Sequence, residues 1–129
     1  MNSRNIIQNV LDYIDENIKS EISNDDLCNI AGYSYIHLAR LFKQYLGISP
    51  NEYILKRRLL FAVYEMNGDL SKTDIAFEFG FDTYAGFYKA FKRKFGCSPS
   101  KFTKSYIGSK PYKINILQEE HIMVSKTKI

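Results

Sequence analysis

The stretch Gly80-Phe81-Asp82-Thr83-Tyr84-Ala85-Gly86-Phe87-Tyr88-Lys89-Ala90-Phe91-Lys92-Arg93-Lys94-Phe95-Gly96-Cys97-Ser98-Pro99 decides the fold. Phe87, Phe91 and Phe95 stand four residues apart, which places them on one face of a helix. Asp82 or Thr83 occupies the position of an N-cap, so the spacing predicts a helix from Tyr84 to Phe95 that stops at Gly96. Ser98-Pro99 then supplies a cap and a first-turn proline for a short helix through about Lys104. Upstream, Ser71 or Thr73 begins a short helix that runs to Phe79 and ends at Gly80.

The same pattern occurs 48 to 49 residues earlier. Ser23, followed three residues later by Asp26, caps a helix over Asn24 to Ala31, and Gly32 ends it in a left-handed conformation. Ser34 caps the next helix, Tyr35 to about Leu46, which buries Leu38, Leu41, Phe42 and Tyr45 and stops at Gly47. Leu27-Cys28-x-x-x-Gly32-Tyr33 aligns with Ile75-Ala76-x-x-x-Gly80-Phe81. Leu38-x-Arg40-x-Phe42-Lys43 aligns with Phe87-x-Lys89-x-Phe91-Lys92, and Gly47-x-Ser49-Pro50-x-x-Tyr53 with Gly96-x-Ser98-Pro99-x-x-Phe102. A small residue, Cys28 or Ala76, four positions before a glycine lets a second helix cross close to the first, as a helix-turn-helix requires. Between the copies, Ser49-Pro50 opens a longer helix over Asn51 to Met66, broken by Asn67-Gly68. Ahead of them, Ile6, Ile7, Val10, Leu11, Ile14 and Ile18 predict an amphipathic helix from Ser3 to about Lys19. The expected fold is all-α: seven helices, no strand before residue 106, and two helix-turn-helix subdomains joined by a linker helix.

Length and composition agree with this. A chain of 129 residues, 45% hydrophobic and 25% charged, is large enough for one domain with a core and too apolar for disorder. It contains no apolar run near the ~20 residues of a membrane span, and Met1-Asn2-Ser3-Arg4 does not open a secretory signal, so a cytoplasmic protein is expected. Cys28 and Cys97 lack metal-ligand spacing and are expected to be two isolated, buried thiols. The charge is uneven. Residues 1–34 hold two basic and six acidic side chains, whereas residues 35–104 hold twelve basic and six acidic ones. A localised basic surface points to a polyanionic partner. No paired carboxylates, activated nucleophile or glycine-rich phosphate loop suggests an enzyme, and no cofactor or metal is called for. The competing class is a helical protein-interaction module without sequence-specific DNA binding, to which the acidic Asp12 to Asp26 surface would contribute.

At these residues the chain resembles the DNA-binding domain of the AraC/XylS family of bacterial transcription regulators. Gly80 to Pro99 is similar to the family's C-terminal signature, with Ile75-Ala76 preceding it. Ala31-Gly32-Tyr33-Ser34, Leu38-x-Arg40-x-Phe42-Lys43 and Tyr53-Ile54-x-x-x-Arg58-Leu59-x-x-Ala62 are similar to its first half. The resemblance covers about residues 5–104. It implies a sequence-specific regulator of transcription whose partner is double-stranded DNA, with RNA polymerase as a further partner, and whose two recognition helices enter successive major grooves on one face of the duplex. Those grooves lie ~34 Å apart. A linker helix of sixteen residues spans roughly 24 Å before the flanking helices add their width. One monomer would therefore read an asymmetric site, with dimerisation left to the tail or to a further domain.

On the first recognition helix the outward residues are Tyr35, Ile36, Ala39, Arg40 and Lys43. Arg40 is the expected base reader, since a guanidinium donates two bonds to guanine O6 and N7, while Ile36 and Ala39 offer only apolar contacts. On the second helix the expected base-contacting residues are Thr83, Tyr84, Ala85, Tyr88 and Lys89, and Gly86 either allows close approach of the backbone or is a poor helix former that the helix tolerates. Lys43, Lys92, Arg93 and Lys94 are expected along the phosphates, together with Ser34, which like Asp82 is read as a cap and not as a base reader. His37 neighbours the readers, and His121 has no partner suited to catalysis.

The domain boundaries expected are 1–105 for the DNA-binding domain, with helix-turn-helix units at about 24–46 and 72–95 and the linker at about 51–66. Residues 106–129 form a tail. Tyr112-Lys113-Ile114-Asn115-Ile116-Leu117 and the stretch from Ile122 to Ile129 alternate apolar and polar side chains, which predicts two strands joined by residues 118–121. A lone hairpin is marginal in water, so it must pack on the helices, pair with another chain, or begin an effector-binding domain.

Overall fold

The computed structural model describes residues 2–105 and 110–117. Seven helices occur among them: α1 (Ser3–Glu16), α2 (Asn24–Ala31), α3 (Tyr35–Leu46), α4 (Pro50–Glu65), α5 (Lys72–Glu78), α6 (Tyr84–Phe95) and α7 (Pro99–Ser105). Every one begins at a side-chain cap. Asn2, Ser23, Ser34, Ser71 and Thr83 each accept a hydrogen bond from the backbone N–H three residues on. Ser49 and Ser98 do the same for Glu52 and Lys101. At α2 the Asp26 carboxylate also accepts from the Ser23 N–H, which closes a capping box. Of the alternatives open in the sequence, Ser71 and not Thr73 caps α5, and Thr83 and not Asp82 caps α6. Asp82 is exposed. In each helix-turn-helix the turn is made by a glycine in the left-handed region, Gly32 at φ +73° and Gly80 at φ +91°. An added Cβ would meet nothing within 4 Å at either position, so backbone conformation, and not crowding, selects glycine there.

The chain divides into two compact units. One comprises the chain up to Ile54 and the segment that begins at Lys113; the other is Leu55–Tyr112. In the first, α1 packs on α2 and α3, and α2 on α3. Ile7, Val10, Leu11 and Ile14 of α1 are buried, as are Leu27, Ala31, Leu38, Phe42 and Leu46. Leu41 and Tyr45, expected in this core, are only half-buried. The Tyr45 hydroxyl sits 2.9 Å from Ser3 Oγ, a polar contact that holds the ring at the rim. In the second unit α5 packs on α6 and α6 on α7. Its core holds Ile75, Ala76, Phe79, Phe87, Ala90 and Phe91, and Phe102 meets Phe91 edge-on at 5.2 Å. Aromatic pairs of this geometry add to the area they bury. The sequence of α4 runs from the first unit into the second as the linker helix.

Three further expectations need correction. First, α1 ends at Glu16, not near Lys19. Asn17 leaves the helical conformation at φ −116° and ψ 24°, its N–H shared between the Tyr13 and Ile14 carbonyls in a tightened last turn, and its side-chain amide donates to Tyr13 as well at 2.9 Å. Second, Cys28 and Cys97 are free but half-buried, not buried. In α2 the inward positions belong to Leu27 and Ala31, which leaves Cys28 at the edge of the crossing. Third, residues 112–117 are not a strand. Ile114 and Ile116 are buried, as their alternation implies, but the backbone pairs with a side chain of α1. Gln8 donates from Nε2 to the Ile114 carbonyl at 2.9 Å and accepts from the Ile116 N–H at 2.8 Å. One amide thus satisfies a donor and an acceptor that a neighbouring strand would otherwise have taken. The second expected strand and its turn lie outside the described residues. Just before this segment, the buried Arg57 guanidinium donates to the Tyr112 carbonyl at 3.1 Å and lies 5.0 Å from the Phe61 ring centre.

Candidate nucleic-acid interface

The two sides of α3 differ sharply. Leu38 and Phe42 have no exposed surface and Leu46 almost none, which fixes the rotation of the helix about its axis. The opposite arc then presents Ile36, His37, Arg40, Lys43 and Gln44 to solvent. Ile36, Arg40 and Lys43 follow one another at four- and three-residue steps and form a single stripe. Tyr35 and Ala39 are half-buried and border it. Ser34 accepts from the His37 N–H as the cap, and the His37 ring lies 4.2 Å from the Tyr33 ring centre. Gln44 is a residue that sequence reasoning missed. It lies one turn beyond Arg40 on the exposed arc, and a carboxamide there can make a bidentate contact with adenine.

On α6, Phe87, Ala90 and Phe91 are buried, and the exposed arc holds Ala85, Gly86, Lys89, Lys92 and Arg93. Tyr88 stands at its border, 37% exposed. Two expected contact residues are drawn inward. Tyr84 is half-buried, its ring 5.8 Å from Phe87 and 6.4 Å from Tyr88, with Lys72 Nζ 5.9 Å from its centre. Lys94 is half-buried as well. Thr83 is exposed, and its Oγ1 accepts from the Gly86 N–H at 3.0 Å, which leaves its hydroxyl proton and one lone pair for an outward partner. A Cβ added at Gly86 would lie 3.3 Å from that same Oγ1.

Neither α3 nor α6 contains an acidic residue, so both exposed arcs are positive or neutral along their whole length. Lys92, Arg93 and Lys94 fall in the last turn of α6, where cations also complement the helix dipole. On α4, partial burial pulls the Arg58 guanidinium below its ordinary value by desolvation. Among the described residues, no group of three or more His, Cys, Asp or Glu side chains could hold a metal ion. Each of the two capped helices presents a basic, acid-free outer face suited to a phosphate-lined groove.

The family model described as "Helix-turn-helix domain" matches residues 27–105. The chain is 35% identical over 106 residues to the probable transcription factor PqrA of Proteus vulgaris, covering 80% of this chain and 87% of that protein. It is 36% identical over 104 residues to the HTH-type transcriptional activator AarP of Providencia stuartii, covering 80% and 77%. Among solved structures it is similar to a transcriptional regulator with an AraC-type DNA-binding domain from Chromobacterium violaceum. That match has a TM-score of 0.72 and 28% identity, over 81% of this chain and 95% of the other.

Proposed function

Because the chain belongs to the AraC/XylS family and is a sequence-specific, double-stranded-DNA-binding transcription regulator and not an enzyme, we propose how its residues divide that work. The helices α3 and α6 enter adjacent major grooves. Arg40 reads a guanine edge, with Ile36 and Gln44 on either side of it along the groove and Tyr35 and Ala39 at the border. Ala85, Tyr88 and Lys89 face the bases of the second groove, with Thr83 and Tyr84 at its edge. Lys43, Lys92, Arg93 and Lys94 hold phosphates, which gives affinity and salt dependence without sequence information. Ser34 contributes to the same phosphate contacts while it caps α3.

The observation that carries this reading is the stripe of Ile36, Arg40 and Lys43, set opposite the fully buried Leu38 and Phe42 on one acid-free helix. A monomer suffices, since the chain carries both units, and its site is asymmetric because Ile36, Ala39 and Arg40 of the first arc are matched by Ala85, Tyr88 and Lys89 in the second. RNA polymerase is the protein partner proposed. No helix among the described residues is long and apolar enough to cross a membrane, and the cytoplasm, where bacterial DNA lies, is the proposed location.

Selection of bound sequences from a random duplex pool tests the proposal. Two blocks of base preference about one helical turn apart, different from each other, are expected. A single block, or two identical inverted half-sites, would contradict it.

A further inference from the structure

We infer that the first unit recognises the 5-methyl group of a thymine through Ile36, next to the guanine that Arg40 reads. The inference rests on the base-reading role proposed for α3 and goes on to name the chemical group that Ile36 takes.

Ile36 is 74% exposed, the most exposed large hydrophobic side chain among the described residues. It lies in the first turn of α3, two positions after the Ser34 cap. Its exposure is not slack packing. Leu38 and Phe42 on the same helix have no exposed surface, so the rotation that turns Ile36 outward is fixed by the core. An isoleucine branched at Cβ also has few side-chain conformations to lose when it is buried.

The chemistry of the groove then selects the partner. Isoleucine carries no donor or acceptor and cannot answer guanine N7 or O6, adenine N6 or cytosine N4. The apolar group that a base edge presents in the major groove is the thymine methyl. Against a phosphate, by contrast, the side chain would displace water and return no hydrogen bond. Ile36 and Arg40 are four residues apart, roughly 6 Å along the helix, which is about two base-pair steps. The thymine therefore lies within about two base pairs of the guanine. With no acidic residue on α3, the helix holds no carboxylate that would draw the guanidinium away.

The test uses the duplex obtained by pool selection, with each thymine replaced in turn by deoxyuridine, which removes the methyl and keeps every hydrogen-bonding group. Dissociation constants are measured by fluorescence anisotropy for the wild-type chain, Ile36→Ala and Arg40→Ala. Loss of one buried methyl corresponds to about a three- to fivefold weakening. One deoxyuridine position is expected to weaken the wild type by that factor, to have no effect on Ile36→Ala, and to keep its effect on Arg40→Ala. If no deoxyuridine position weakens the wild type, or if the effect persists in Ile36→Ala, the methyl contact is overturned. In that event, a guanine preference that vanishes in Arg40→Ala leaves the base-reading role of α3 standing. A pool that yields no preferred sequence overturns that role, and the methyl contact with it. Ile36→Ala removes an exposed side chain and raises helix propensity, so loss of fold does not confuse the result.

Discussion

Replacing Gln8 by Met keeps the length and the methylenes of the side chain and removes both of its polar atoms. Gln8 is 6% exposed. Its amide donates to the Ile114 carbonyl and accepts from the Ile116 N–H, and it donates to Asp12 Oδ1 at 2.9 Å as well. The variant leaves one backbone donor and one backbone acceptor, both of buried residues, without their partner. Each such orphan costs about 1–3 kcal/mol. The segment can escape by undocking, but it then exposes Ile114 and Ile116, each worth about 1.5–3 kcal/mol when fully buried, and recovers chain entropy in return. Either route brings the expected loss to about 2–4 kcal/mol, and for a domain of this size the melting temperature falls by about 8–20 °C. Circular dichroism melts give the shift, and amide exchange reports on the Ile116 N–H directly. A Gln8→Met protein that melts within the error of the wild type and keeps the Ile116 amide protected would refute the pairing.

Gly86→Ala should raise stability by about 0.5–1 kcal/mol, because alanine is the better helix former at an exposed interior position. The Cβ would stand 3.3 Å from Thr83 Oγ1, yet Asp26, His37 and Asp74 carry side chains at the same position relative to their own caps. A lower melting temperature would show that the α6 cap cannot give way. Cys28 and Cys97 are free and half-buried, so both should react with a thiol reagent under native conditions, more slowly than a small free thiol. An intact mass lacking two hydrogens, the sign of a disulfide, would contradict this.

The helices were legible because their signals are local. A serine or threonine followed three residues later by the N–H it accepts from lies within one turn, and Ser23, Ser34, Ser71 and Thr83 all use it. Where two candidates stood close together, as Asp82 and Thr83 do, only backbone geometry chose between them. The end of α1 is not legible, since the apolar spacing runs on to Ile18 while the backbone leaves the helix at Asn17. The segment after Pro111 shows the limit of periodicity. Alternation correctly turned Ile114 and Ile116 inward, but it says nothing about what satisfies the backbone, and the partner, Gln8, lies more than a hundred residues away. On α3 the exposed arc follows from the buried one, so Arg40 and Ile36 were found from spacing. Gln44 is less legible because it falls near the helix end, past the residues whose spacing marks them as outward. On α6 the ring of Tyr84 turns inward against Phe87, a tertiary preference that an outward position in a helical wheel does not reveal.

The division between reading and holding residues is the central claim, and a salt series on two variants tests it most directly. Binding of the wild type, Arg40→Ala and Lys92→Ala is measured by fluorescence anisotropy on the selected duplex and on its single-base variants. Arg40→Ala should lose about 1–3 kcal/mol on the preferred site and relax selectivity at one or two base pairs. Lys92→Ala should weaken binding to all duplexes alike and reduce the slope of log K against log salt by about one unit. If Arg40→Ala weakens every duplex equally while Lys92→Ala changes the base preference, the roles assigned to the two helices are wrong.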